Sequence, residues 1–75
     1  MGPALAFGRV LRRLRKERGL TQEELAFEAD IQRNFVSLIE LGRNQPSITT
    51  LFKLAKALGR TPSQMIALTE KESRG

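Results

Sequence analysis

The sequence predicts an all-α protein, a compact bundle of five short helices. Apolar residues recur at three- and four-residue intervals in several separate segments, the pattern of helices with one buried face. Short connections rich in glycine, proline and asparagine separate these segments. A chain of 75 residues has room for one small core, so we expect a single domain over 1–75, ordered from about 4 to 69.

The first predicted helix covers Ala4 to Arg18 and ends at Gly19, a residue suited to a left-handed helix stop. Its apolar face consists of Phe7, Val10, Leu11 and Leu14. Basic residues cover the rest of this helix, and we interpret them as a solvated surface whose ends could reach a phosphate.

Two closely spaced helices follow. Thr21 and Glu24 form a capping-box pattern, which predicts a second helix over about Gln22 to Glu28. A third helix runs from about Gln32 to Leu41, with Val36 and Ile39 facing the core. Because the turn between them has about four residues, the helices must cross steeply, as in a DNA-binding helix-turn-helix.

The remaining helices also have start signals. Ser47 caps a fourth helix, from Ile48 to Leu58, that ends at Gly59. Its predicted core face consists of Ile48, Leu51, Leu54, Ala55 and Leu58. Thr61 and Gln64 form another capping box, with a fifth helix starting at Pro62 and Met65 completing the core. We expect the polar tail, 69–75, to be disordered.

Composition narrows the function. Thirteen basic against eight acidic residues give a net charge of +5, which favours a polyanionic partner. Cysteine and histidine are absent, and neither metal-ligand spacing nor a phosphate-binding glycine loop appears, so we expect no metal site and no cofactor. We do not expect an enzyme, because the acidic residues read as helix surface or caps and not as a catalytic pair. No apolar run reaches the roughly 20 residues that span a bilayer, so we expect a cytoplasmic protein without a membrane partner. No small-molecule ligand is indicated.

Several motifs occur together in one order between about Phe7 and Ile66. They are Gln22-x-x-Leu25-Ala26, Phe35-Val36-Ser37-x-Ile39-Glu40-x-Gly42-x-Asn44-x-Pro46-Ser47 and Leu51-x-x-Leu54-Ala55-x-Ala57-Leu58-Gly59. The combination resembles helix-turn-helix domains of the phage-repressor and Cro type, including the small controllers of restriction-modification genes. The resemblance implies a lambda-repressor-like fold that binds double-stranded DNA.

The polar face at the start of the third helix holds the candidate base contacts. Arg33 and Asn34 occupy positions that read bases in the resembling repressors, since arginine pairs with guanine and asparagine with adenine. Gln32 and Ser37 share this face, and for them base contact and simple solvation are equally plausible.

The resemblance also implies supporting contacts. Gln22, Arg43 and Asn44 match positions that contact the phosphate backbone, the first at a helix N-terminus and the others in the loop before the fourth helix. Arg15 and Glu40 match a structural ion pair between the first and third helices. Asp30 and Gln32 depart from the family pattern, because glycine is usual at the turn and serine or threonine at the cap of the third helix.

The leading hypothesis is a sequence-specific transcriptional regulator that binds a palindromic operator as a homodimer through its third helix. Ile66 and Leu68 cannot easily both face inward on so short a helix, and together with Phe52 they are candidates for the dimer interface. The alternative is a protein-interaction module, an antitoxin or adaptor. The short polar stretch after the fifth helix argues against that alternative.

Overall fold

A computed structural model describes all residues from Met1 to Gly75 and contains five helices. Their order and number agree with the prediction, and their ends differ from it by at most a residue or two except at the C-terminus. They are α1 (Pro3–Glu17), α2 (Gln22–Ala29), α3 (Arg33–Glu40), α4 (Ile48–Ala57) and α5 (Pro62–Arg74). None of these helices combines the length and the apolar character needed to cross a membrane.

Side-chain caps at Thr21, Ser47 and Thr61 fix where α2, α4 and α5 begin. The Thr21 hydroxyl accepts from the Glu24 amide at 3.0 Å, and the Glu24 carboxylate accepts from the Thr21 amide at 2.8 Å. Thr61 and Gln64 make the same reciprocal pair at the start of α5. These bonds satisfy amides that have no partner within the helix, so both capping boxes are confirmed. By contrast, Gln32 precedes α3 without a capping side-chain bond.

The turn between α2 and α3 has three residues. Asp30 takes the left-handed conformation there, with φ 57° and ψ 49°. The Ile31 amide then donates to the Ala26 carbonyl at 3.0 Å, which closes the end of α2. Aspartate tolerates this left-handed conformation better than most residues, so it accommodates the tight turn between the two helices.

Helix α1 packs against α3 and α5, and α2 packs against α3 and α4, so all five helices share one core. Gly8 marks the closest approach of α1 to α3. A side chain there would collide with the backbone carbonyl of Ile39 and lie 2.7 Å from that of Glu40. The last turn of α3 is therefore held directly against the middle of α1.

Two expectations about side chains and ends were wrong, those for Ile48 and for the tail, 69–75. Ile48 is 71% exposed, because the first turn of α4 projects beyond the core. Leu68 is only partly exposed and packs against the core. The tail is helical to Arg74, since the buried Thr69 hydroxyl donates to the Met65 carbonyl at 2.8 Å and Arg13 pairs with Glu72 at 3.1 Å.

Candidate nucleic-acid interface

The first turn of α3 presents the predicted base-contacting side chains. Gln32, Arg33 and Asn34 are exposed, while Ser37 one turn later is partly buried. Gln32 and Asn34 also border a shallow hollow with Phe35 and Leu38. The turn thus offers a guanidinium and two carboxamides, groups that can donate to or accept from the edges of bases.

Leu38 is a member of this surface that the sequence reasoning did not select. It is partly exposed and follows Asn34 by one helical turn, so both lie on the same side of α3. An apolar side chain in this position could contact a thymine methyl group. Its spacing from Asn34 was the available signal, but an isolated leucine on a short helix reads equally well as core.

Gln22 begins α2 and is tied to the end of α3. Its Nε2 atom donates to Glu40 Oε1 at 3.1 Å, and the residue is partly buried. The amide has a second N–H and a carbonyl oxygen that this bond does not use. Glu23 and Glu24 lie in the same first turn, and their charges reduce the attraction of this helix end for a phosphate.

Arg15 and Glu40 join α1 to the end of α3, at the positions where the resemblance implied an ion pair. Arg15 Nε donates to Glu40 Oε2 at 2.7 Å, and Nη2 donates to Oε1 at 3.0 Å. Arg15 Nη1 also donates to the Leu20 carbonyl at 2.9 Å, which fixes the approach to α2. The two side chains are only 10% and 4% exposed.

The electrostatics of this pair keep Arg15 charged. The hydrogen bond with Glu40 raises the pKa of Arg15, and the negative charge of Glu40 adds to the rise, while burial acts in the opposite direction. A raised arginine pKa stabilises the fold at every pH below the value in the unfolded chain, and this stabilisation disappears only at strongly alkaline pH. The ion pair therefore persists over the ordinary pH range, because Arg15 does not lose its proton there.

The loop after α3 has a defined position beside that helix. Gly42 adopts φ 75°, and the Arg43 amide donates to the Leu38 carbonyl at 2.9 Å. The Asn44 amide shares the same carbonyl at 3.3 Å. Arg43 and Asn44 are both exposed, so the loop holds a cation and a carboxamide at the end of α3 opposite its first turn.

A capped α2, a three-residue turn, an exposed first turn on α3 and a braced C-terminal end together define the helix-turn-helix class of domains. No three side chains that could ligate a metal ion lie close enough together to hold one.

Comparison with known proteins identifies the family. The model of the helix-turn-helix family HTH_3 matches residues 11–65, and the chain belongs to this family of DNA-binding transcriptional regulators. It is 39% identical over 69 residues to the control protein C.MunI of a Mycoplasma species, an alignment that covers 91% of this chain and 93% of the relative. It is 38% identical over 66 residues to the control protein C.BamHI of Bacillus amyloliquefaciens, covering 87% and 82% of the two chains.

A solved structure also links this chain to the controller proteins. The restriction-modification controller protein C.AhdI from Aeromonas hydrophila superposes with a TM-score of 0.81 at 39% identity, covering 83% of this chain and 94% of that one. The all-α fold with a helix-turn-helix at α2 and α3 is therefore confirmed, as is the resemblance to controller proteins. The protein is a transcriptional regulator of the helix-turn-helix type, and its family is not a class of enzymes.

Proposed function

We propose that the protein is a sequence-specific regulator that binds a palindromic operator in double-stranded DNA as a homodimer, with α3 in the major groove. The observation that carries the proposal is the first turn of α3. There Arg33 and Asn34 are exposed on a helix whose far end is braced against α1 by the Arg15–Glu40 pair. A rigidly held helix with base-edge donors at its exposed N-terminal end suits direct readout of sequence.

Contacts to the sugar-phosphate backbone would set the register of α3 in the groove. Gln22 lies at the start of α2, and Arg43 and Asn44 lie in the loop after α3, so the candidates bracket α3 in the chain. Two clamps on opposite sides of a recognition helix would fix its angle and depth. Gln22 can keep its bond to Glu40 and still donate its second N–H to a phosphate.

An apolar patch on α4 and α5 supports the homodimer. Phe52 is 58% exposed and lies one turn after Ile48, which is itself exposed. Ile66 of α5 borders the same groove as Ile48. We call Ile48, Phe52 and Ile66 together the apolar patch. Leu68, two residues after Ile66, does not line this groove and packs against the core. Burying this patch against a second copy would remove it from water.

The dimensions of the domain fit a two-site arrangement. The protein measures 31 × 23 × 22 Å, and a homodimer on a palindrome must hold its two recognition helices about 34 to 36 Å apart, one turn of DNA. The similarity to C.MunI, C.BamHI and C.AhdI favours a role in controlling restriction-modification genes. A regulator of such genes would act in the cytoplasm.

Selection of bound sequences from a random duplex pool tests the proposal. We expect a palindromic winner that binds at least about 10³-fold more tightly than a scrambled duplex. Titration of the winner should give two protein chains per duplex. Equal binding to every duplex would contradict sequence-specific regulation, whatever the affinity.

One observation favours the alternative of a protein-interaction module. Phe27 on α2 is 86% exposed, the highest value among the large apolar side chains, and it belongs to neither the apolar patch nor the proposed DNA contacts. A large exposed aromatic is a typical anchor of protein interfaces. If selection returns no preferred sequence, a partner protein that covers Phe27 becomes the leading hypothesis.

A further inference from the structure

The net charge of this protein comes entirely from its first 18 residues. They contain six basic residues and one acidic residue, whereas residues 19–75 contain seven of each and are neutral overall. The helix-turn-helix segment itself, residues 21–47, has two basic and five acidic residues, a net charge of −3. The segment proposed to enter the groove would therefore be repelled by the phosphate backbone if it acted alone.

The excess charge is concentrated on one side of α1. Arg9, Arg12, Arg13 and Lys16 follow the i, i+3, i+4, i+7 spacing of a single helix face, and all four are exposed. We call these four residues the α1 basic face. Their side chains border one shallow depression together with Glu17.

Most of the positive charge on the α1 basic face is not paired with acidic side chains. Arg13 pairs with Glu72 of α5, and Glu17 pairs with Arg60 instead of with the basic face. Arg9, Arg12 and Lys16 take part in none of the four ion pairs in the structure. Like charges three and four residues apart destabilise a helix, so this arrangement opposes folding unless an anion relieves it.

The α1 basic face adjoins the end of α3. Gly8 touches the α3 backbone, and Arg12 follows it by one turn, between Gly8 and the Arg15 brace to Glu40. Arg9 follows Leu5 by one turn, and Leu5 lies against Gly42 at the start of the Arg43 loop. The face thus continues from the loop proposed to contact phosphates.

We propose that the α1 basic face is a second DNA-contacting surface, in which Arg9, Arg12 and Lys16 bind the phosphates of the duplex that carries the operator. The inference rests on the proposed function for the position of the duplex. These cations offset the negative charge of the helix-turn-helix segment, and their contacts are independent of base sequence. Most of the salt dependence of binding then originates outside the helix-turn-helix.

Salt titrations with matched charge variants test this surface. R9Q/R12Q/K16Q lowers the net charge from +5 to +2, and the control K56Q/K71Q/R74Q makes the same change at exposed positions on α4 and α5. Arg13 is kept because it holds the α5 tail. Affinity for a labelled random-sequence duplex is measured by fluorescence anisotropy from low to moderate NaCl. Circular dichroism verifies that both variants fold.

The slope of log affinity against log salt gives the answer. Each lost phosphate contact lowers the slope by about 0.9, so we expect a reduction of about 2.7 per bound chain for R9Q/R12Q/K16Q and a much smaller one for the control. Equal reductions in the two variants would show an effect of net charge alone and overturn the proposal. An unchanged slope for R9Q/R12Q/K16Q would overturn the proposal too. That conclusion would hold even if this variant lost binding to anionic lipid vesicles.

Failure of the proposal for α1 can be distinguished from failure of the proposed function. With the selected operator, R9Q/R12Q/K16Q should weaken binding to operator and scrambled duplex by the same factor, so their affinity ratio stays constant. If the wild-type protein shows no sequence preference, the proposed function fails, but the random-duplex slopes still decide whether α1 contacts DNA.

Discussion

Arg33 and Arg43 are exposed arginines in the same helix-turn-helix segment, and we expect opposite consequences from their removal. R33A should lose about 1 to 3 kcal/mol of affinity for the operator and relax selection at one base position in each half-site. R43A should weaken binding to all sequences alike and lower the salt slope by about 0.9 per bound chain. Repeating the selection with each variant checks both outcomes. A uniform loss in both variants would remove Arg33 from the set of base contacts.

The Arg15–Glu40 pair makes a second prediction at the scale of single residues. Because both side chains are almost fully buried, removing one leaves the other charge without its partner. E40A and R15A should each reduce the free energy of unfolding by about 3 to 5 kcal/mol in urea titrations. The apolar double variant R15M/E40L should cost much less than the sum, since no charge is stranded. Additive losses would show that the pair does not act as a unit.

Asp30 tests how much the turn depends on its backbone conformation. Its φ of 57° disfavours a side chain with a Cβ, and aspartate tolerates this region better than alanine does. D30A should therefore be about 1 kcal/mol less stable than D30G, as measured by thermal or urea unfolding. Asp30 is 97% exposed and lies 4.0 Å from Lys53, so loss of that contact should contribute little. Equal stabilities of D30A and D30G would contradict this account.

Among the helix contacts, the crossing of α1 and α3 is the most sensitive to added volume. An alanine at position 8 would place its Cβ against two backbone carbonyls, which cannot move as a flexible side chain could. We expect G8A to lose about 1 to 3 kcal/mol despite the higher helix propensity of alanine. G2A is the matched control, because a Cβ at Gly2 meets nothing within 4 Å. A G8A protein as stable as the wild type would show that the helices can separate without cost.

Helix positions were predictable where the signals are local. The capping boxes at Thr21 and Thr61 depend on residues within one turn of each other, so sequence alone located them. The helical tail of α5 was missed because α5 packs against α1, and Arg13 of α1 pairs with Glu72, 59 residues further along the chain. Ile48 was misplaced for a related reason, since its spacing matches the core face of α4 and only the assembled bundle exposes it.

The candidate site likewise combines features that the local sequence predicts with features that depend on the folded molecule. Its base-contact candidates follow from the resemblance together with the polar face of one helix. The bond from Gln22 to Glu40 spans 18 residues, and the adjacency of the α1 basic face to the Arg43 loop depends on how α1 crosses α3. Such relations need the packed fold, because no local pattern specifies which surfaces become neighbours.

Dimerisation through the apolar patch can be tested by substitution. Ile48, Phe52 and Ile66 of the apolar patch are exposed, and Ile48 and Ile66 share one groove, so charge introduced in this patch should oppose burial against a second copy. We expect F52E/I66E to sediment as a monomer at concentrations where the wild type is a dimer. The variant should keep its helical content, because Phe52 and Ile66 are 58% and 50% exposed.

Loss of the dimer should also change DNA binding and stability. A monomer can engage one half-site only, so F52E/I66E should bind a single half-site duplex as the wild type does but lose the tighter binding to the full palindrome. The wild-type melting temperature should rise with protein concentration, and that of the variant should not. F27E is the control, because it adds charge at an exposed aromatic outside the apolar patch. If F27E disrupts the dimer and F52E/I66E leaves it intact, the interface lies on α2 and not on α4 and α5.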